Sequence, residues 1–185
     1  MKTLIRSTLG VAFLCGGLNA SFCAETPAPG YFDFGKFSPP PSGGEFVEVD
    51  LKDSLISMAA RLGEKSEPEV SGLLRGLQAV RVNVIGLTDE NRAEMQERVK
   101  TIRSQLEARG WQRIVTAQNK GEDVGIYLKT RGAETVQGLV ITVLDGKKEA
   151  VFVNIVGDLK PENLATIGQK FNIEPLKKLG GAAVK

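Results

Sequence analysis

The fold is decided by a short pattern that the chain carries twice, as VRVNVIG at residues 80–86 and as VFVNIVG at residues 151–157. Each copy alternates valine or isoleucine with other residues, which is typical of a β-strand whose side chains point to opposite faces in turn. A glycine ends each copy, and a helix-like stretch follows, LTDENRAEM after the first and DLKPENLATI after the second. The repeat therefore predicts two related strands, each of which turns through its glycine out of the sheet and into a helix start.

Four further segments show strand-like patterns, and with the repeat they predict a mainly antiparallel sheet of five to six strands. They are residues 45–51, 111–118, 123–130 and 135–144. The linkers NKGE and DGKK suit hairpin turns, because Asn, Asp and Gly tolerate the left-handed backbone. Strands that are joined by such short linkers must run antiparallel.

Three helices are predicted between these strands, and a fourth is predicted to start near Pro161. The first carries apolar residues at helical spacing, namely Leu51, Leu55, Met58, Ala59 and Leu62. A short second helix covers residues 70–77, and the longest helix spans residues 89–109. The longest helix has a narrow apolar stripe, formed by Met95, Val99, Ile102 and Leu106. Its surface is expected to carry two ion pairs, Glu94–Arg98 and Arg103–Glu107.

These elements predict an α+β fold with two layers, in which the helices pack on one face of the sheet. The core side of the repeated strands is expected to carry Val82, Val84, Val153 and Ile155. Four regions follow along the chain: a secretory signal peptide (1–24), a Pro/Gly/aromatic-rich N-terminal segment (25–44), a single α+β domain (45–179) and a flexible tail (180–185).

The predicted signal peptide begins with Lys2 and Arg6 and continues with an apolar run over residues 9–18. That run is shorter than the about 20 residues that a membrane-spanning helix needs. It predicts an exported protein, periplasmic or secreted, with no transmembrane segment in the mature chain. A lipid anchor is less expected, because bulky residues, Leu14 and Phe22, precede the two cysteines of the chain.

Charge and composition exclude several classes of function. The whole chain has 24 Lys and Arg against 22 Asp and Glu, and loss of Lys2 and Arg6 with the signal peptide leaves 22 of each. A neutral protein is a poor nucleic-acid binder, because it lacks an excess of cations to neutralise phosphates. The chain has no histidine, and both cysteines lie in the signal peptide. Histidine acid–base catalysis, thiol nucleophiles and the usual zinc ligands are therefore excluded.

Carboxylates are the remaining catalytic groups, and they occur as the pairs Glu122/Asp123, Asp145/Glu149 and Asp158/Glu162. Each pair lies at a predicted turn or helix start, where acidic side chains commonly bond backbone amides. We therefore predict no enzyme activity, no cofactor and no metal site. The alternative is a small-molecule carrier or a carboxylate-dependent hydrolase, which would need a concave pocket that holds two carboxylates.

Residues 25–44 differ in composition from the rest of the chain, since they contain five of its eight prolines. They also place four aromatic side chains within seven residues: Tyr31, Phe32, Phe34 and Phe37. A disordered tether seldom exposes so much apolar surface. Of the two interpretations, a free tether or a docked segment, we predict that the segment docks on its own domain, a second subunit or another partner.

The second face of the sheet is the expected docking surface, because it mixes apolar with hydrogen-bonding side chains and so requires a cover. Its candidate interaction residues are Arg81, Asn83, Tyr127, Thr142, Phe152 and Asn154. Together with the aromatic segment they predict a non-catalytic binding module. The expected partner is an unknown protein of the envelope or another copy of the chain.

Several segments, among them PGYFDFGKF, MAARLGEKSEPEV and VRVNVIGLTDENRAEM, resemble the bacterial envelope family catalogued as domain of unknown function 4252. The resemblance extends from Gly30 to about Leu179. It implies a small secreted or lipid-anchored α+β domain with no assigned activity and no catalytic residues to carry over. Relatives are expected to lie near genes for extracytoplasmic-function sigma factors, which implies a role in envelope signalling. Relatives with a lipidated cysteine are also expected, and Leu14 and Phe22 depart from that pattern.

Overall fold

The computed structural model describes residues 27–119, 121–132, 135–146, 148–160 and 168. Their helices are α1 (Asp53–Gly63), α2 (Pro68–Leu74) and α3 (Arg92–Ala108). Their strands are β1 (Phe46–Lys52), β2 (Leu77–Gly86), β3 (Gln112–Asn119), β4 (Glu122–Arg131), β5 (Thr135–Asp145) and β6 (Glu149–Leu159). The predicted signal peptide, the start of the predicted last helix near Pro161 and the tail lie outside the described residues.

The six strands form one sheet in the order β1-β2-β6-β5-β4-β3, and every neighbouring pair is antiparallel. This arrangement confirms the predicted α+β class and the antiparallel sheet. The two copies of the repeat are β2 and β6, which are direct neighbours with Val82 opposite Val153. The second copy therefore lies near the centre of the sheet, and the first lies one strand from its edge.

Helices cover both faces of the sheet, where the sequence predicted helices on one face only. On the first face, α1 and α2 pack Ile56, Leu73 and Leu74 against the core. On the second face, α3 packs the stripe that the sequence predicted, Met95, Val99, Ile102 and Leu106, and all four are buried. The physical reason is that β6 is apolar on both sides, with Ile155 in the first core and Phe152 in the second.

The second face is the more deeply buried of the two along the repeat. Ile155 is buried as predicted, but Val82, Val84 and Val153 are only half-buried. On the opposite side, Asn83, Phe152 and Asn154 are at most 1% exposed. The alternation of the strands is thus confirmed, whereas the expectation that all four aliphatic positions lie fully in the core is wrong.

The orientation of α1 differs from the one its apolar spacing predicts. Leu55, Met58 and Leu62 are 47%, 49% and 76% exposed, while Ile56 and Ala60 on another side of the helix are buried. The packing of α2 accounts for this orientation, because the Ser71 hydroxyl donates a buried hydrogen bond of 2.7 Å to the Ala60 carbonyl. A small residue on the buried side of α1 permits this close approach of the two helices.

The glycines of the repeat have different roles. Gly86 ends β2, and its amide donates a hydrogen bond to the Glu45 carbonyl at 2.7 Å. The predicted turn out of the sheet at Gly157 is wrong, because β6 continues past this glycine to Leu159. Its φ angle of 149° and its close approach to the Gly76 carbonyl oxygen leave no room for a Cβ atom. Close backbone packing, and not a shared turn, therefore requires glycine at the second position.

Candidate interaction site

The N-terminal aromatic segment lies across the second face of the sheet. We call residues 30–41 the strap, and the surface beneath it, between α3 and Arg81 of β2, the groove. Phe32 and Phe34 of the strap are buried in the same core as α3. Phe37 is half-buried and stacks on Phe152, with ring centroids 4.8 Å apart. The docking of this segment on its own domain agrees with one of the arrangements that the sequence predicted.

Aromatic rings form the apolar floor and wall of the groove. Phe34 lies 5.7 Å from Phe152 between centroids, and Phe32 meets Trp111 edge to face at 6.3 Å. Such tilted and edge-to-face pairs are favourable beyond the area that they bury. Phe152 contacts two strap rings at once, so it is the central residue of the groove.

Asn154 binds the main chain of the strap. Its Oδ1 atom accepts a hydrogen bond from the Phe32 amide at 2.9 Å, and its Nδ2 atom donates to the Gly30 carbonyl at 3.0 Å. The same Nδ2 atom donates to the Leu139 carbonyl of β5 at 3.2 Å. Since Asn154 is fully buried, each of these bonds satisfies a group that water does not reach. The side chain thereby fixes the strap in one position along the strand.

Arg98 of α3 binds the strap from the other side. Its Nη2 atom donates to the carbonyls of Phe34 and Lys36 at 2.8 and 2.7 Å. Its guanidinium lies 4.2 Å from the centre of the Phe37 ring, which is a cation–π distance. The ion pair predicted between Glu94 and Arg98 on the surface of α3 is thus replaced by contacts with the strap.

Two more arginines contact strap side chains. Arg81 donates from Nη1 to the Tyr31 hydroxyl at 2.8 Å and lies 3.4 Å from the Asp33 carboxylate. Arg109 places its guanidinium 5.2 Å from the centre of the Phe32 ring. The start of the strap is packed so closely that a Cβ atom on Gly138 would lie 2.6 Å from the Gly30 Cα atom. Glycine is required where the two backbones touch.

Seven of the predicted interaction residues therefore meet at the strap: Tyr31, Phe32, Phe34, Phe37, Arg81, Phe152 and Asn154. Asn83 lies beside Phe152 in the register of β2 and β6, but its amide has no hydrogen-bond partner among the residues that the structure describes. The other two, Tyr127 and Thr142, lie under α3 beside Arg103.

The cluster under α3 is organised by Arg103. This arginine bonds both oxygens of Asp123 at 2.8–2.9 Å and donates from Nε to the Thr142 hydroxyl at 3.1 Å. The surface pair predicted between Arg103 and Glu107 is thus replaced by a link from α3 to β4 and β5. Tyr127 is fully buried, and burial raises the pKa of its hydroxyl above the ordinary value.

Three of the carboxylates that the alternative hydrolase would use, Glu122, Asp123 and Asp158, are engaged or exposed, and Glu162 lies outside the described residues. Glu122 and Asp123 line an open cleft of about 730 Å³ next to Lys100 of α3. Asp123, however, is held by Arg103 as described above. Asp158 lies 3.8 Å from Arg131 at the surface. In the part of the chain that the structure describes, no three acidic, histidine or cysteine side chains are grouped as metal ligands would be.

Sequence reasoning missed Arg98, Arg109 and Trp111 as residues of the site. The signal for Arg98 is its position in α3, between Met95 and Val99 of the buried stripe. A cation beside the buried stripe of α3 lies close to the core. It can therefore contact an aromatic segment that docks along this helix. Trp111 directly follows the end of the helix, and its amide bonds the Leu106 carbonyl at 3.0 Å.

The fold and this site define a small α+β domain that holds its own N-terminal segment across one face of the sheet. The chain belongs to the family described as Domain of unknown function (DUF4252), which matches residues 43–167 of the 185. The strap precedes the matched residues. No curated protein and no solved structure matches the chain. None of the helices among the described residues is long and apolar enough to cross a membrane.

Proposed function

We propose that this chain is a non-catalytic exported protein of the cell envelope that works as a protein-interaction module. In this proposal the groove binds an extended peptide with closely spaced aromatic residues, and the strap is a ligand that the chain supplies itself. The partner is an envelope protein, or another copy of the chain, that presents such a segment. Envelope signalling is the setting that the family resemblance implies for this module.

The observation that carries the proposal is that buried or half-buried side chains hold the strap by its main chain. Asn154 bonds one carbonyl and one amide of the strap, and Arg98 bonds two further carbonyls. Protein domains commonly bind extended peptides in this way, with hydrogen bonds to the main chain and pockets for alternate side chains. Here Phe32 and Phe34 occupy such alternate positions.

The strap is attached in a way that allows it to leave. Among the described residues its backbone-to-backbone hydrogen bonds are local, from Tyr31 to Ala28 and from Gly43 to Pro40. Release of the strap therefore leaves every strand pair of the sheet intact. The connection to β1 passes through Gly43 and Gly44, whose φ angles are 80° and 142°. Glycine adopts such angles without strain, so these two residues are suited to act as a hinge.

The free energy gained by docking the strap and the free energy lost by ordering its backbone are of the same order of magnitude. Burial of a phenylalanine side chain contributes about 1.5–3 kcal/mol, and each hydrogen bond contributes about 1 kcal/mol. Ordering the backbone costs about 1–2 kcal/mol per residue, less for prolines, whose φ is already fixed. Docking of the strap is therefore opposed by an ordering term of the same order of magnitude, which favours exchange with a competing peptide.

A labelled peptide with the sequence of residues 28–41 tests the proposal by fluorescence anisotropy. The parent protein is expected to bind it weakly, because its own strap competes at an effective concentration in the millimolar range. A variant with Phe32→Ala and Phe34→Ala in its own strap is expected to bind the peptide at least tenfold more tightly. Addition of Asn154→Ala to that variant is expected to remove most of the gain.

A peptide with the same residues in scrambled order serves as the control, and circular dichroism verifies that each variant is folded. The proposal is wrong if the weakened-strap variant remains folded and binds the peptide no better than the parent does. Equal binding of the scrambled peptide would assign the signal to nonspecific stickiness of exposed rings and would also contradict the proposal.

Export is tested separately by the mass of the protein recovered from its native host. We expect the protein in the periplasm or the medium, with an N-terminus that follows residue 20, 23 or 24. A cytoplasmic protein that retains Met1, or one that carries a lipid on Cys15 or Cys23, would contradict this part of the proposal.

A further inference from the structure

The strap enters the core through one six-residue stretch, GYFDFG at residues 30–35. Its two phenylalanines are buried side by side, with Phe32 at 0% and Phe34 at 4% exposure and their ring centroids 5.5 Å apart. Apolar pockets alone discriminate weakly, because one methylene more or less changes binding only modestly. The glycines at the two ends of the stretch are constrained by close contacts of another kind.

Gly30 is held between β5 and Asn154. It is buried, and its carbonyl accepts the 3.0 Å hydrogen bond from Asn154 Nδ2. A Cβ atom at this position would overlap the Gln137 carbonyl and lie 2.8 Å from the Gly138 Cα atom. Because β5 is paired with a strand on both sides, it cannot withdraw from an added atom. A shift of the strap away from β5 would strain the bond to Asn154, so the position accepts glycine alone.

Gly35 is held by Arg98. The carbonyls on either side of it, those of Phe34 and Lys36, accept hydrogen bonds from the same Nη2 atom of Arg98. The φ angle of Gly35 is 75°, in the left-handed region that other residues adopt at a cost. A Cβ atom on Gly35 would also lie 2.9 Å from that Nη2 atom. Any other residue here is therefore strained and displaces the arginine from the two carbonyls that it binds.

Asp33 stabilises the turn that positions Gly35. Its Oδ1 atom accepts a hydrogen bond of 2.9 Å from the Gly35 amide two residues further on, which is an Asx turn. The Asp33 side chain is 66% exposed, so it shapes the stretch and does not fill a pocket. Asparagine forms the same turn. Tyr31 is half-buried and bonds Arg81 through its hydroxyl, so no enclosed pocket restricts that position.

We propose that the groove selects its partner by the pattern Gly-x-Phe-Asp/Asn-Phe-Gly, where x is any residue. This inference rests on the proposed function, because it names the class of peptide that the groove accepts when the strap is displaced. Clashes with β5 and with Arg98 reject segments that lack the glycines, and such repulsive contacts are a common source of specificity. The partner is a protein that presents this pattern in an accessible, extended segment.

A separate protein fits this role better than a second copy of the chain. Exchange of straps between two copies forms the same contacts that each copy already forms with its own strap, and association also costs translational and rotational freedom. A strap attached to its own domain has an effective concentration in the millimolar range for its groove. The partner that displaces it therefore carries the pattern together with further contacts of its own.

Competition against the labelled peptide of residues 28–41, bound to the weakened-strap variant described above, tests the glycines. Unlabelled peptides with Gly30→Ala or Gly35→Ala are each expected to bind about tenfold more weakly, or worse, than the unaltered peptide. Ser38→Thr is the matched control, because it adds the same single carbon at an exposed position, and it is expected to bind like the unaltered peptide. The sign is informative, since alanine in place of glycine stiffens a free peptide and would strengthen binding if the groove tolerated the methyl group.

The Asx turn is tested in the same competition. Asp33→Ala in the peptide is expected to weaken binding several-fold, and Asp33→Asn is expected to retain it, because only the latter keeps the acceptor for the Gly35 amide. Equal binding of the alanine and asparagine peptides overturns this position of the pattern. Binding of both glycine-to-alanine peptides as tightly as the unaltered peptide overturns the pattern as a whole and leaves the proposed function standing.

The same substitutions in the chain's own strap separate the two possible failures. Gly30→Ala and Gly35→Ala are expected to accelerate hydrogen exchange of the Phe32 amide about tenfold or more, and Ser38→Thr is not. Unchanged exchange in both glycine variants overturns the pattern. Faster exchange together with no binding of the unaltered peptide overturns the proposed function and the separate partner with it. A dimer of the parent that Gly30→Ala abolishes would identify a second copy as the partner and overturn the separate protein.

Discussion

Asn83 and Asn154 occupy the same position in the two copies of the repeat, yet in the described part of the chain only Asn154 has hydrogen-bond partners. Their strands are related by a local two-fold axis through Val82 and Val153, so both amides point to the same face of the sheet. Both side chains are at most 1% exposed. The strap offers Asn154 a carbonyl and an amide, but no polar group among the described residues forms a hydrogen bond with Asn83.

This difference shows that the repeat determines where a side chain points, while the covering chain determines what it does. Residues at the second position of each copy make the same point. Phe152 stacks under the strap rings, whereas Arg81 bonds the Tyr31 hydroxyl at the rim of the groove. Matched substitutions at equivalent positions of β2 and β6 therefore measure how much more the second copy contributes to stability than the first.

The largest difference in the free energy of unfolding is expected at the second position of each copy, Phe152 in β6 and Arg81 in β2. Phe152→Ala removes a fully buried ring that contacts Phe34 and Phe37, and should lower the free energy of unfolding by about 3–5 kcal/mol. Arg81→Ala removes the hydrogen bond to the Tyr31 hydroxyl and the longer, exposed contact with the Asp33 carboxylate at the rim, and should lower it by about 1 kcal/mol. Denaturant titration of both variants gives the comparison. Equal losses would show that Phe152 is not the centre of the groove.

The next largest difference in stability is expected between the two glycines that end the copies, Gly157 and Gly86. Gly157→Ala forces a Cβ atom toward the Gly76 carbonyl at a φ angle of 149°, and should destabilise the protein by about 2–3 kcal/mol. In Gly86→Ala the nearest neighbour of the new atom would be the Glu45 nitrogen at 3.0 Å, and a small shift at the start of β1 relieves this contact. We expect about 1 kcal/mol there, by analogy with mild overpacking. If the Gly86→Ala variant melts at a lower temperature than the Gly157→Ala variant, Gly86 and not Gly157 is the glycine that close backbone packing requires.

The asparagines give a smaller difference that bears most directly on function. Asn154→Leu leaves the Gly30 carbonyl and the Phe32 amide without partners, and should cost about 1–3 kcal/mol. Asn83→Leu removes a buried amide that has no hydrogen-bond partner among the described residues, and should be neutral or stabilising. Hydrogen exchange of the Phe32 amide is expected to accelerate in the first variant only. If the second variant also releases the strap, Asn83 contributes to the groove through contacts other than hydrogen bonds.

The sequence predicts those features of the fold that arise from periodicity. The stripe from Met95 to Leu106, the antiparallel hairpins and the two sides of the repeated strands follow from spacing alone, because each position lies on a face that its neighbours also define. The aromatic segment could be expected to dock for a similar reason, since four rings within seven residues are too apolar for a free tether.

Features that depend on a distant part of the chain are not predictable in this way. The spacing of Leu55, Met58 and Leu62 is as regular as that of α3, but the fold buries Ile56 and Ala60 instead, and α2 bonds the Ala60 carbonyl. Arg98 and Arg103 have suitable acidic neighbours four residues away in the helix, but the strap and Asp123 provide more buried partners. For the two arginines a long-range contact replaces a local ion pair worth a few tenths of a kcal/mol, and for α1 a long-range contact decides which side of the helix is buried.

Tyr127 extends the comparison from a buried amide to a buried hydroxyl. Like Asn83, it is on the second face and its polar atom is buried without a hydrogen bond of good geometry among the described residues, although Arg113 is close enough to lower its pKa. Burial raises the pKa of this hydroxyl above its ordinary value of 10.0, and the positive charge of Arg103 offsets only part of the rise. The fold therefore favours the neutral, protonated hydroxyl of Tyr127. The Asn83 amide, by contrast, does not titrate.

The sign of the pH dependence follows from that raised pKa. The contribution of Tyr127 is fully present below the pKa of the unfolded chain, about 10, and is lost as the pH rises through the higher pKa of the folded protein. Tyr127→Phe should remove this alkaline loss, and at neutral pH it should be neutral or slightly stabilising. Tyr31→Phe leaves Tyr127 as the only tyrosine of the chain, so the tyrosinate absorbance of that variant reports on Tyr127 alone. Titration of the folded Tyr31→Phe variant at or below the ordinary pKa of tyrosine would place the Tyr127 hydroxyl in contact with water and remove the parallel with Asn83.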